Sequence, residues 1–357
     1  MFIERHCHYT GSLPIEFLIP QFLDKRDEIE DSTAERLLPN YRILDEVDFH
    51  QRRHIYQDIV AQNLRTAFTD DWRLNKRRFD EIYSLFQTLS RSNDPEQTER
   101  LYSEGSYAIA QSFYRHHSKH IEIKAGPRKD LDSTYRRVHA MHRGLSRFEN
   151  ESGLNNFAEI TLTFMKKGGI FQNYDPDSLT GIFTLLEAGK LPRVNGFDFS
   201  GDETEEGSDT LFEIISEIEK FNKFRAARNL RTYIVTVHGG EEFVNIDPAF
   251  YIEFFSRLLA SRIDRVGHGT FLWIPHSVFE TTPYIDRERR ALLNSLARRN
   301  IELELCPTSN LLLTPLKDSR DIPISYFRQH HIQFSINTDN CTIFSTNIAR
   351  EHHLIYS

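Results

Sequence analysis

The stretch Tyr233-Ile234-Val235-Thr236-Val237-His238-Gly239-Gly240-Glu241 (residues 233–241) decides how the rest of the chain is read. Five aromatic or β-branched residues in succession favour an extended, buried strand. The run stops at a histidine, and two glycines then permit a tight turn before a carboxylate. A polar group at the C-terminal end of such a strand is where a parallel βα protein builds its site.

Seven further runs of this kind recur, so that candidate strands fall at 2–8, 120–124, 159–164, 194–199, 232–237, 263–266, 301–305 and 332–336. Each is followed by loop residues, and most then by a longer stretch with apolar residues at helical spacing. Eight such units in 357 residues predict a (β/α)8 TIM barrel, read as one domain over 1–357. Residues 9–118 hold no strong strand candidate and read as a helical insertion after the first strand. Helical stretches are expected at 45–66, 72–92 and 97–118, with Ser92-Asn93-Asp94-Pro95 as a turn and helix start. These helices either pack on the barrel or form a lid, because residues after a barrel strand lie on the catalytic face. Eighteen residues remain after Asp339, enough for a short helix over 348–356. That leaves open whether the last barrel helix is minimal or is covered by something else.

The polar residues at the strand ends are of a consistent kind. His6 and His8, two apart on a strand, point to one face and send Cys7 to the other. His238 and Glu241 close the fifth run, Gly267-His268-Gly269 the sixth, and Phe334-Ser335-Ile336-Asn337-Thr338-Asp339-Asn340 the eighth. Three neutral imidazoles and a carboxylate suit Zn²⁺, one per chain, leaving a position at which water is acidified toward about pH 7. A nearby Glu can move protons and a further His can orient the nucleophile.

Composition excludes several classes. No segment approaches the roughly 20 apolar residues that span a bilayer, and no basic region followed by an apolar run marks a secretory signal at the N-terminus. Three cysteines, Cys7, Cys306 and Cys341, form no disulfide framework, so a reducing cytoplasm is expected. A net charge of −8 opposes a general nucleic-acid partner but not a small anion held by a few local cations.

His6-Cys7-His8, His238-Gly239-Gly240-Glu241, Gly267-His268-Gly269, Cys306-Pro307-Thr308-Ser309-Asn310 and Asn337-Thr338-Asp339, in this order, resemble the motif series of the adenosine/AMP deaminase family. The stretches 121–127 and 196–203 resemble the family's second and fourth strands. The resemblance implies that His6, His8, His238 and Asp339 bind zinc, that Glu241 carries the proton to a purine ring nitrogen, and that His268 positions the attacking hydroxide. Gly201 matches the glycine whose backbone meets the purine. The implied reaction is hydrolytic deamination at C6 of an adenine, giving a hypoxanthine product and ammonia.

Two positions depart from the family pattern. Thr10 stands where adenosine deaminases have a ribose-binding aspartate, and Asn340 where they have a second aspartate. Loss of a carboxylate near the sugar removes repulsion toward a phosphate, and Lys124, Arg128, Arg136, Arg137 and Arg143 are the nearby basic candidates. The alternative for these cations is a solvated helix face. The substrate is thus an adenine nucleoside or nucleotide, with ATP and dATP among the candidates, and Asn340 remains able to hydrogen-bond a ring nitrogen. A metal-dependent hydrolase of another bond on the same barrel, and a structural subunit of a homo-oligomer or larger assembly, are the competing readings.

Overall fold

The computed structural model describes residues 1–29, 32–44, 46–128, 130–204 and 206–357. Its centre is one sheet of β1 (Phe2–His8), β2 (Ser118–Ala125), β3 (Ala158–Lys167), β4 (Ile170–Phe171), β5 (Val194–Gly201), β6 (Ile234–Gly239), β7 (Arg265–His268), β8 (Glu302–Leu305) and β9 (Phe334–Ile336). Eight of these run parallel in the order β1-β2-β3-β5-β6-β7-β8-β9. The Cys7–Asp339 bridge brings the first strand back beside the end of the last, through His8 N–H to Asp339 O at 2.9 Å and Asp339 N–H to His6 O at 2.8 Å. The result is the expected (β/α)8 barrel, with strands where the apolar runs lie.

Fifteen helices accompany the sheet among the described residues. Between β1 and β2 lie α1 (Ile15–Asp24), α2 (Ser32–Leu37), α3 (Glu46–Gln51), α4 (Arg53–Ala67), α5 (Trp72–Leu89) and α6 (Pro95–Arg115). Around the rest of the barrel follow α7 (Leu131–Ser152), α8 (Pro176–Glu187), α9 (Ser208–Ala226), α10 (Pro248–Ala260), α11 (Thr270–Trp273), α12 (Pro283–Arg299), α13 (Pro307–Leu313), α14 (Ile324–Gln329) and α15 (Ile348–Tyr356). Asp71 and Asp94 cap α5 and α6 by accepting the N–H groups of Arg73 and Glu96, as short acidic side chains do at helix starts. None of the helices is long and apolar enough to cross a membrane.

Three local expectations are corrected. The stretch 45–66 is not one helix: α3 ends at Gln51 and α4 begins at Arg53, with Arg52 outside helical geometry (φ −111°, ψ 21°); the expected start at Asp45 lies outside the described residues. The third helix stops at Arg115 rather than Ser118, because His117 takes a left-handed conformation (φ 67°) and Ser118 opens β2. The short β4 was not expected. Gly168 and Gly169, both at positive φ, make a two-residue hairpin that folds Ile170–Phe171 back onto β3.

Outward-facing residues of the strands, such as Cys7, Ile121, Ile123 and Phe197, are buried against the helices. Inside the barrel the filling is charged rather than aliphatic: Glu4, Glu122, Lys124, Asp198, Arg265 and Glu304 are all buried. That interior forms the floor of the site.

Candidate metal centre and surrounding cavity

The C-terminal ends of β1, β6, β7 and β9 bring His6, His8, His238, His268 and Asp339 together. His238 Nε2 lies 2.9 Å from His6 Nε2 and 3.3 Å from His8 Nε2. Asp339 Oδ1 lies 3.4 Å from His8 Nε2 and 3.8 Å from His6 Nε2. Both His268 and Asp339 sit at positive φ, near 59°. A non-glycine residue there stores about 1–3 kcal/mol of strain, which the surrounding packing must hold.

The donor set fits a cation, and the hydrogen-bond partners give the reason. Phe199 O, 3.0 Å from His238 Nδ1, can only accept, so that nitrogen carries the proton. His6 Nδ1 lies 2.8 Å from the Glu304 carboxylate, which the Lys124 ammonium also contacts. Both Nε2 atoms then present lone pairs to each other at 2.9 Å, an arrangement that is repulsive unless a cation draws on both. Ligand nitrogens on a tetrahedral Zn²⁺ stand roughly 3.3 Å apart, as His8 and His238 do. Burial keeps the His6, His8 and His268 imidazoles well below their usual pKa, hence neutral and able to ligate. Cys306 also lies near His6 and His268, but burial pushes its thiol well up, away from the thiolate a metal takes.

Beneath the candidate ligands lies a charged lattice. Asp198 contacts His238 Nδ1 at 3.2 Å and Lys124 Nζ at 2.9 Å; Glu304 receives Lys124 Nζ at 2.9 Å and Arg265 at 3.2 Å; Arg265 also pairs twice with Glu122. These groups orient the imidazoles from behind. Lys124 was expected to reach a phosphate; it lines the cavity, and its ammonium is taken up by the Asp198 and Glu304 carboxylates, 2.9 Å from each. Arg136 and Arg143 are not at the site: they are exposed on α7 and pair with Asp132 and Glu99.

Glu241 Oε1 lies 3.3 Å from His268 Nδ1, and Asn310 Nδ2 lies 3.2 Å from the same nitrogen. Burial, with the charges of Glu203 and Asp339, pushes the Glu241 carboxyl well above its usual pKa. Glu203 sits behind the Glu241 turn. Its carboxylate accepts the N–H groups of Gly240 (2.9 Å), Glu241 (3.0 Å) and Glu242 (3.2 Å), together with the Tyr251 hydroxyl. Three successive amides on one carboxylate set the direction in which Glu241 projects. Glu203→Gln is expected to lower turnover, since an amide replaces only part of this acceptor set. It should also move the alkaline limb of the pH profile to lower pH, because a charge that raises the Glu241 pKa is gone. An unchanged limb would separate Glu203 from Glu241.

A cavity of about 940 Å³ opens over these groups. His8, His238, His268, Asp339, Glu241, Gly201, Thr10, Asn340 and Arg128 all line it. Gly201 has φ 105°, and a Cβ there would meet Lys166 O at 1.9 Å, so the position accepts only glycine and leaves its backbone bare to the cavity. Thr10 and Tyr83 of α5 line the cavity together, which makes the helices after β1 part of the wall. Asn340 donates to Asp339 Oδ1 at 2.6 Å, and its own Oδ1 has no partner among the described residues.

Sequence reasoning left Asp198, Glu203 and Asn310 without roles, although all three lie in the stretches that carried the resemblance. Their nearness to a strand end was the available signal: Asp198 lies three residues before the end of β5, Glu203 two residues after it, and Asn310 five residues after β8. What each would touch was not, since every partner comes from a different strand or helix.

A parallel barrel with a histidine-rich centre and a carboxyl–imidazole pair at its strand ends is an arrangement compatible with hydrolytic chemistry. A family model described as adenosine deaminase matches residues 60–356, and the chain belongs to the adenosine deaminase family. An adenosine deaminase of Streptococcus thermophilus is 25% identical over 99% of this chain and 85% of its own length. One from Clostridium perfringens is 22% identical over 99% and 86%. In fold, the chain is similar to the N6-methyl-AMP deaminase of Arabidopsis thaliana (TM-score 0.63, 16% identity, 99% and 84% coverage). It is also similar to an adenine deaminase of Arthrobacter aurescens (TM-score 0.62, 16% identity, 99% and 86% coverage).

Proposed function

We propose that this chain is a zinc-dependent deaminase of an adenine nucleoside or nucleotide. The observation that carries the reading is the convergence of three imidazole nitrogens and Asp339 beside the Glu241–His268 pair. His6, His8, His238 and Asp339 would hold one zinc ion, which when bound supplies Lewis acidity that brings water toward ionisation at neutral pH.

The remaining steps belong to the protein's own groups. Glu241, whose raised pKa keeps it protonated toward neutrality, gives its proton to a purine ring nitrogen and so makes C6 a better electrophile. His268, kept neutral by burial and held at Nδ1 by Glu241 and Asn310, orients the water that adds there. Proton transfer to the exocyclic amine then expels ammonia and leaves the six-oxo purine. The bare backbone at Gly201 and the side chain of Asn340, which lines the cavity, supply contacts for the ring edge.

Three buried free cysteines suit a reducing cytoplasm, and a homo-oligomer or larger assembly is compatible with catalysis. The test is ammonia release from adenosine, deoxyadenosine, AMP, ATP and dATP, with and without chelator. Release that chelator abolishes is expected from at least one compound. Inactivity on all five, with hydrolysis of a phosphoester, would favour a different bond on the same barrel.

A further inference from the structure

The cavity walls differ in how their charges are compensated. On one side Lys76 pairs with Glu242, and Lys166 with Asp202 at 3.7 Å. On the side formed by the α5–α6 turn, the end of β2 and the start of α7, Arg91, Arg128 and Arg137 line the same cavity. Among the described residues no carboxylate oxygen lies within 4 Å of any of the three, although the chain as a whole is acidic. Asp130, the nearest acid in sequence, accepts the Ser133 N–H as the cap of α7.

Two of these cations share one ring, and Arg91 lines the cavity beside them. The Arg137 guanidinium stands 4.5 Å from the Tyr102 ring centroid and that of Arg128 5.9 Å, and Arg128 also donates to the Tyr102 hydroxyl at 2.5 Å. Arg137 is only 8% exposed; it donates to Gly126 O, and its Nε has no partner among the described residues. Burial above all, and then the charges of Arg137 and Arg91, bring Arg128 down to about 10: cations are crowded in a spot with little solvent. Such crowding is unfavourable unless an anion enters. Planar guanidinium forks match phosphate oxygens in pairs.

We infer that Arg91, Arg128 and Arg137, steadied by Tyr102, form a phosphate subsite, so that the substrate is an adenine nucleotide rather than the free nucleoside. Thr10 and Tyr83 line the same cavity as the three arginines. The subsite deepens the deaminase reading and rests on it. A cavity of about 940 Å³ lies at the upper end of the range for small-molecule sites, leaving room beyond a purine and its sugar.

The test compares kcat/KM for AMP, ATP and dATP with that for adenosine in the wild-type protein and in Arg91→Ala and Arg128→Ala. The leading nucleotide should exceed adenosine by tenfold or more, and each substitution should lower that ratio about tenfold or more, as expected for loss of a charge-assisted hydrogen bond. Inorganic tripolyphosphate should also raise the melting temperature of the wild-type protein at low salt, and not that of the double variant. Arg143→Ala, on the exposed face of α7, should change neither readout. Active enzyme whose nucleotide-to-adenosine ratio is indifferent to both substitutions would overturn the subsite and leave the deaminase reading standing. No ammonia from any substrate, with tripolyphosphate protection lost in the double variant, would do the reverse.

Discussion

Glu241→Gln is expected to lower kcat by about 10²–10⁴-fold, the usual worth of a positioned acid–base group, with metal content unchanged. The substitution keeps the shape of the side chain and can keep a contact to His268 Nδ1, 3.3 Å away, but it has no proton to give a ring nitrogen. Glu241 is not among the converging ligand atoms, so the His6, His8, His238 and Asp339 set stays complete. Folding stability at neutral pH should not fall, because burial with the charges of Glu203 and Asp339 already favours the neutral form of this side chain, and the amide is neutral too. The wild-type profile follows the same logic. The protonated form is the active one, so kcat/KM is full below the raised pKa and is lost as pH rises through it. Single-turnover ammonia release, with metal analysis of the same sample, checks the first expectation. Substantial turnover by the amide variant would remove Glu241 from the mechanism.

Removal of the metal is expected to abolish ammonia release and to lower thermal stability, with both restored by added Zn²⁺. Without a cation the centre holds two facing lone pairs, on His6 and His238, together with a buried carboxylate at Asp339. A cation that binds only the folded state adds RT ln(1 + [M]/Kd) to stability, about 4 kcal/mol at a thousandfold excess over Kd. Uptake should depend on pH in a definite direction. Burial pushes the Asp339 carboxyl up to about 6, so in the metal-free protein it is ionised above that value and protonates as pH falls through it. Affinity for Zn²⁺ should therefore weaken steeply below about pH 6. His238→Ala should lose both metal and activity. Reversible chelation gives the same answer should that variant fold poorly, since it leaves Asp198 without its imidazole partner. Full activity after exhaustive chelation, with metal content shown to be nil, would refute the role of these four residues.

Much of this architecture is legible in one dimension because it is repetitive. Each barrel strand is a short apolar run, and each ends where a polar residue can face the open end of the barrel, so 2–8 and 232–237 could be assigned almost to their ends. The break between α3 and α4 and the stop at His117 were not readable, because apolar spacing continues across both points while the backbone does not.

What the sequence determined by itself was the βα repeat and the identity of the polar residues at strand ends, since alternation and strand termination are local consequences of side-chain type. Tertiary structure alone decided what those residues touch. Lys124 lies in β2, yet its ammonium belongs to Asp198 of β5 and Glu304 of β8, which closure of the barrel brings within 2.9 Å. Glu203 and the amides of residues 240–242 meet for the same reason, and Arg91 from the α5–α6 turn comes to line one cavity with Arg128 and Arg137. A charge buried inside a closed barrel must find its partner among groups distant in sequence, and no local pattern encodes that choice.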